Sequence, residues 1–137
     1  MNILLYSFIC SLILFTKYGE DTEDVVVDTD SDFIYLDENG ITIKASENAV
    51  IGENYELNGI SYLIVDKDLL AQMIVEEKDI TNVITSRLTD MVGMFYRYPF
   101  NQDISSWDVS NVTDCRQFSY ETTTWALPKP NFTNCTE

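Results

Sequence analysis

The sequence predicts an α+β protein in which a small β-hairpin cap domain with one helix leads into a short solenoid of about two coils. Three observations predict it. The chain repeats itself at an offset of 24 residues, two Asn-Gly pairs sit between β-prone runs, and one apolar stripe at helical spacing lies between those hairpins and the repeat.

Residues 1–18 read as a signal peptide. The run from Ile3 to Phe15 is almost wholly apolar and 13 residues long, too short to cross a bilayer as a helix and the right length for the core of an export signal. Cys10 lies inside that run. A lipid anchor there is the lesser reading, because Ile9 precedes it where a small residue is wanted and more apolar sequence follows. Residues 19–32 read as an acidic linker without fixed structure. Seven acids crowd positions 20–32 with few residues to pack, and such a run stays solvated.

Residues 33–79 read as the cap. Phe33-Ile34-Tyr35-Leu36 and Ile41-Thr42-Ile43-Lys44 flank Asn39-Gly40, and Tyr55-Glu56-Leu57 and Ile60-Ser61-Tyr62-Leu63-Ile64-Val65 flank Asn58-Gly59. Both central residues of a tight hairpin turn need positive φ, which Asn and Gly tolerate. Two hairpins predict one small antiparallel sheet. Asp66 then offers a helix cap, and Leu69, Leu70, Met73 and Ile74 form the core-facing stripe of the helix it starts.

Residues 80–137 carry the repeat and a closing coil. Ile80-Thr81-Asn82-Val83-Ile84-Thr85-Ser86-Arg87-Leu88-Thr89-Asp90-Met91 aligns without a gap on Ile104-Ser105-Ser106-Trp107-Asp108-Val109-Ser110-Asn111-Val112-Thr113-Asp114-Cys115. Met94 continues over Phe118 and Tyr96 over Tyr120, and Asn131-Phe132-Thr133-Asn134-Cys135 answers Asn111-Val112-Thr113-Asp114-Cys115 as a worn third copy. A short unit repeated in this way buries its apolar face only by stacking on a neighbour. Ile104, Trp107, Val109 and Val112 are spaced as a short buried strand and its exit, with Trp107 inward and Asp108 outward. Met91, Met94 and Phe95 are spaced as a short helix, which Thr89 or Thr113 and the neighbouring Asp90 or Asp114 would cap. Cys115 and Cys135 hold the same place in their copies, so stacking sets their backbones roughly 5 Å apart, within the reach of a disulfide. The alternative is two reduced cysteines filling the core. The sequons at Asn111, Asn131 and Asn134 would imply surface glycans in a eukaryotic secretory route, but the stronger reading is structural, since two of the three recur because the repeat does. An Asn there can tie one turn to the next through its side-chain amide.

Leu88-Thr89-Asp90-Met91-Val92-Gly93-Met94-Phe95-Tyr96, followed by Phe100-Asn101-Gln102-Asp103-Ile104-Ser105-Ser106-Trp107-Asp108-Val109-Ser110-Asn111-Val112-Thr113-Asp114, resembles the repeat of the BspA-like leucine-rich-repeat surface proteins. The hairpins resemble the β-rich cap that precedes such repeats in bacterial members, and residues 125–135 resemble the closing coil. The resemblance covers about residues 33–136. It implies a leucine-rich-repeat-type solenoid on a secreted or cell-surface, outer-membrane-associated bacterial protein, with adhesion to host or neighbouring cells as its activity. It carries no catalytic, metal or cofactor residues with it.

Composition narrows the function further. With 23 acidic residues against 8 basic ones and no His, the net charge is -15, which repels nucleic-acid phosphates and anionic membrane surfaces. Without imidazole there is no base for a serine or cysteine triad, and neither a Gly-rich phosphate loop nor a paired-cysteine zinc spacing occurs. No enzyme is expected, and no cofactor or metal. The expected function is a non-catalytic binding module whose partner is a protein or glycan on a host or neighbouring cell surface, with Ser105, Asp108 and Ser110 as the candidate binding face. Two competitors stand beside it, a structural stub of a longer repeat protein and a glycan hydrolase built on carboxylates alone.

Overall fold

The computed structural model describes residues 31–137, so the signal-peptide reading, the Cys10 anchor and most of the acidic linker lie outside the described residues. The last two residues of that linker do not extend freely. Ser31 and Asp32 enter a turn, and the Asp32 carbonyl accepts a hydrogen bond from Ser46 Oγ at 2.7 Å. The elements run β1 (Ile34–Leu36), β2 (Ile43–Ala45), β3 (Asn54–Leu57), β4 (Ile60–Ile64), α1 (Lys67–Val75) and β5 (Val83–Ile84). The α+β class follows, with one helix and two small sheets. No helix among the described residues is long and apolar enough to cross a membrane.

The hairpins form where the Asn-Gly pairs lie, but they do not share one sheet. Asn58 (φ 53°) and Gly59 (φ 77°) make the expected two-residue turn, with Leu57 paired to Ile60. Around Gly40 (φ 71°) the loop is wider, because the pairing of β1 with β2 ends at Leu36 and Ile43. Asn39 there spends its side chain instead of its φ, Oδ1 accepting from the amides of Ile41 and Thr42 at 2.9 Å each. Strands β1 and β2 form one sheet, and β3, β4 and β5 form the second. In the second sheet β5 pairs parallel to β4, Leu63 opposite Val83 and Ile64 opposite Ile84. The first repeat therefore begins inside the sheet of the cap. The boundary at residue 80 is no seam.

Helix α1 follows its sequence signals. Asp66 is the N-cap and accepts from the Leu69 amide at 2.8 Å. Leu70 and Ile74 are buried, and Leu69 and Met73 pack half-buried against the same core.

The two repeats lie side by side. Met91, Gly93, Phe95 and Arg97 donate their amides to the carbonyls of Asp114, Arg116, Phe118 and Tyr120, at 2.8 to 3.0 Å. The residues between them close local turns: Met94, Tyr96 and Tyr98 donate to the carbonyls three residues back. This alternation replaces the short helix expected at residues 91–95. Gly93 (φ 61°) and Arg97 (φ 53°), with Gln117 (φ 57°) and Glu121 (φ 56°) in the second repeat, hold the left-handed region, where no right-handed helix continues. Asp90 and Asp114 accordingly cap no helix. Their carboxylates accept from the amides two residues on, Val92 at 2.8 Å and Arg116 at 3.3 Å. Nor is Trp107 to Val109 a strand, although the equivalent β5 is one, because β5 alone has β4 to pair with.

The period reaches back further than the sequence alignment. Tyr98 Oη donates to the Ile74 carbonyl, Gln102 Nε2 to that of Lys78 and Thr124 Oγ1 to that of Phe100, each across 24 residues. Helix α1 thus takes the place that the runs of turns occupy in the two repeats. The main core lies between these layers, with Phe95 fully buried among Phe100, Phe118 and Trp125 at ring distances of 4.2, 5.2 and 5.0 Å. A smaller core of Ile34, Ala49, Leu57, Ile64 and Ile84 lies under the cap.

Candidate functional site

A cleft of about 340 Å³ opens between the β1–β2 loop and the second repeat. Asp37, Asn39, Ile41, Thr42 and Lys44 line it from the hairpin, Ser105 and Trp107 to Ser110 from the repeat, and Asn131 and Thr133 from the closing segment. The hairpin is held over the repeat by polar ties. Ser86 Oγ accepts from the Ala45 amide at 3.1 Å, and Arg87 donates to the carbonyls of Ser46 and Ala49 at 2.6 and 3.3 Å.

The structure brings Ser105, Asp108 and Ser110 to this one cleft, with one correction. Ser105 and Ser110 are exposed, but Asp108 is only 5% exposed and does not point outward to solvent. Its Oδ1 turns back to accept from the Ser110 amide at 3.1 Å and from Ser110 Oγ at 2.6 Å. A carboxylate held by a serine two residues on closes a small local loop, and strand alternation did not apply because the segment is not a strand. Ser105 is tied in the same way, its amide and hydroxyl donating to Asp103 Oδ1 at 3.1 and 2.7 Å. Both serine hydroxyl protons are thus engaged, which leaves the serine oxygens as acceptors. Trp107 fills the core beneath, 3% exposed, its indole N–H donating to the Ile80 carbonyl at 3.1 Å.

Across the cleft Lys44 Nζ lies 3.1 Å from Asp37 Oδ1. That hydrogen-bonded carboxylate, helped by the charges of Asp108 and Asp37, holds the Lys44 ammonium above the ordinary lysine range. The Ser105 tie holds the Asp103 carboxyl below the usual carboxylate range, and Thr81 does the same for Asp79 one repeat earlier. Among the described residues no three His, Cys, Asp or Glu side chains gather closely enough to hold a metal ion. The arrangement offers an ammonium, amides and hydroxyl oxygens within one groove, which is the chemistry of polar recognition.

The hairpin wall of the cleft carries no signal in the sequence. Asp37 and Lys44 are seven residues apart around a loop, and nothing local says that this loop will stand over Ser110. The closing segment departs from its predicted register as well. Cys115 and Cys135 are joined by a disulfide, with Cα atoms 5.9 Å apart. Asn111 Nδ2 donates to the Ser86 carbonyl at 2.9 Å, as expected of a tie between turns. In the third copy Asn134 has that role, donating to the Ser110 carbonyl at 2.6 Å, while Asn131 lines the cleft.

No curated protein and no solved structure matches the chain. Residues 67–134, from the first residue of α1 through both repeats, match the model of the family described as Mycoplasma protein of unknown function, DUF285, a surface-repeat-type family related to the BspA-type repeats, and it is this family that the chain is similar to.

Proposed function

We propose that the chain is a non-catalytic binding module of the extracellular space or cell surface. In this reading the repeats form a short leucine-rich-repeat-type solenoid of about two coils, and the cleft takes up a protein or glycan of a host or neighbouring cell surface, serving adhesion. The observation that carries it is the meeting of Ser105 and Ser110 with Asn39 and Lys44 across one cleft. Two further facts support it. The carboxylates lining the cleft are already engaged, Asp37 by Lys44 and Asp108 by Ser110, whereas glycoside hydrolysis asks for a proton-donating carboxyl beside a free carboxylate. The disulfide is a bond of oxidising compartments, which supports export. The test is a pull-down from surface-labelled cell extracts with the protein and its Ile41→Arg variant, a change at a 64% exposed lining residue. A partner retained by the first and lost by the second, at equal melting temperature, bears out the proposal. Equal retention by both variants or no partner at all favours the structural stub, and turnover on a glycan and peptide panel would overturn the non-catalytic reading.

A further inference from the structure

We propose, resting on the binding reading of the cleft, that its ligand is the neutral, hydroxyl-rich end of a glycan. The two walls carry opposite halves of the hydrogen bond. On the repeat wall the hydroxyl protons of Ser105 and Ser110 are given to Asp103 and Asp108, so the serine oxygens line the cleft as acceptors. On the hairpin wall the free ends are donors. Asn39 Nδ2 gives one of its two protons to Thr42 Oγ1 at 3.0 Å, and Lys44 Nζ gives one of its three to Asp37, which leaves one and two N–H groups for a ligand. A hydroxyl meets both walls at once, because its oxygen accepts while its proton is given. A carboxylate, sulfate or phosphate only accepts, and would leave the serine oxygens unmatched. An ammonium or guanidinium only donates, and would leave the hairpin donors unmatched.

Charge points the same way. Asp37 and Asp108 against Lys44 give the lining two carboxylates and one ammonium, a net charge of -1, on a protein of net charge -15, so an anion is repelled. A cation must compete with Lys44 for Asp37, and Asp108 is 5% exposed and turned to Ser110. An extended peptide fits the walls poorly as well. The amides of Asp37, Ile41, Thr42, Ser105, Trp107 and Ser110 already donate within the chain, so few are left for a backbone ladder. The exposed Ile41 side chain, beside these polar groups, offers a surface to the apolar C–H face of a sugar ring. At about 340 Å³ the cleft lies near the lower end of the roughly 300 to 1,000 Å³ of small-ligand sites, so it takes the tip of a glycan and not a length of chain.

The probe is an array of neutral glycans, each printed beside its sialylated and its sulfated form, with lysine- and arginine-rich peptides on the same surface, read with the full-length labelled protein. The expected result is retention on the neutral glycans only, changed less than about twofold between roughly 0.05 and 0.5 M salt, where ionic contacts would weaken. Ser105→Ala should weaken it roughly three- to tenfold by removing one acceptor, with the fold intact by circular dichroism. Asp68→Asn, exposed on α1, should leave it unchanged. Asp37→Asn releases Lys44 from its carboxylate and should add retention on sialylated glycans that the parent lacks, a gain that a damaged fold does not produce. Preference of the parent for acidic glycans or basic peptides, silence of the whole array, undiminished binding by Ser105→Ala, or no new acidic retention by Asp37→Asn would each overturn the proposal. The cleft reading fails separately. A pull-down partner that is lost with Ile41→Arg yet still bound after enzymatic deglycosylation overturns the neutral glycan and leaves the cleft standing, whereas a partner that Ile41→Arg retains in full overturns the cleft itself.

Discussion

Removing the Trp107 side chain should cost the fold more than any single change on the cleft. The residue is 3% exposed, its ring lies 6.3 Å from that of Phe95, and its indole donates to the Ile80 carbonyl. Emptying such a site costs about 3 to 5 kcal/mol, because neighbours in a packed core relax only partly into the void. The orphaned carbonyl of the fully buried Ile80 pushes Trp107→Ala to the upper part of that range. Against a total stability of about 5 to 15 kcal/mol, the variant stands close to unfolding at room temperature. Asp108→Ala belongs in the same experiment. An outward Asp108 would cost within about 0.5 kcal/mol. The buried carboxylate observed, accepting twice from Ser110, raises the expectation to about 1 to 2 kcal/mol, since the exposed Ser110 can turn to water when its acceptor is lost. Ser105→Ala, at an exposed position, is the control at about 0.5 kcal/mol or less. Urea melts followed by far-ultraviolet circular dichroism measure all three. If Asp108→Ala proves costlier than Trp107→Ala, or Trp107→Ala costs under about 1 kcal/mol, the assignment of Trp107 as the central filler of the second repeat is wrong.

Three further outcomes are expected. Thiol counting on the denatured, unreduced protein should find Cys115 and Cys135 unreactive, and reducing their bond should lower stability by about 3 kcal/mol, the chain-entropy value for a loop closed over a sequence separation of 20. On the acid side, Asp79 and Asp103 have folded values depressed below the unfolded one by their Thr81 and Ser105 partners, so their contribution is present above about pH 4 and is lost as pH falls through the folded values. Melting temperatures of Asp79→Asn and Asp103→Asn should accordingly fall less than those of the parent between pH 5 and pH 3, and parallel curves would refute this. At the left-handed positions Gly93→Ala should destabilise and Gln117→Gly should stabilise, each by about 1 kcal/mol, since these sites share one backbone and only glycine adopts it without strain. Melts in which both changes act with the same sign would count against it.

The elements with local causes were legible in the sequence. Asp66 and the stripe of Leu69, Leu70, Met73 and Ile74 specify α1, and Asn58-Gly59 specifies its turn, because each signal acts within a few residues of its effect. Most of the differences depend on partners distant in the chain, and one on local competition. The spacing of Met91, Met94 and Phe95 suits a helix and suits equally a run of tight turns with every fourth residue left-handed, and only the neighbouring repeat, accepting from alternate amides, decides between them. Asn39-Gly40 promises a two-residue turn, yet the Asn39 side chain can itself bond the Ile41 and Thr42 amides, and that local competition widens the loop. Of the candidate site, the serines were visible in the repeat. Asp37, Asn39 and Lys44 were not, since what sets the hairpin over the repeat is distant in the chain: the ties from Ser86 and Arg87, some 40 residues beyond the strands they hold, and the small core that Ile34 shares with Ile84.

The splice of β5 into the sheet of β3 and β4 gives the molecule a direction. Leu63 opposite Val83 and Ile64 opposite Ile84 fix where the first repeat starts, and every later register is counted from that pairing in steps of 24. A cut before residue 80 would strip β4 of its parallel neighbour and take Ile84 from the core under the cap, so the repeats cannot be lifted out as a separate module, nor the cap left behind intact. The β4–β5 pairing thus acts as the fixed lower stop of a zipper, the point from which the registers of the repeats are set.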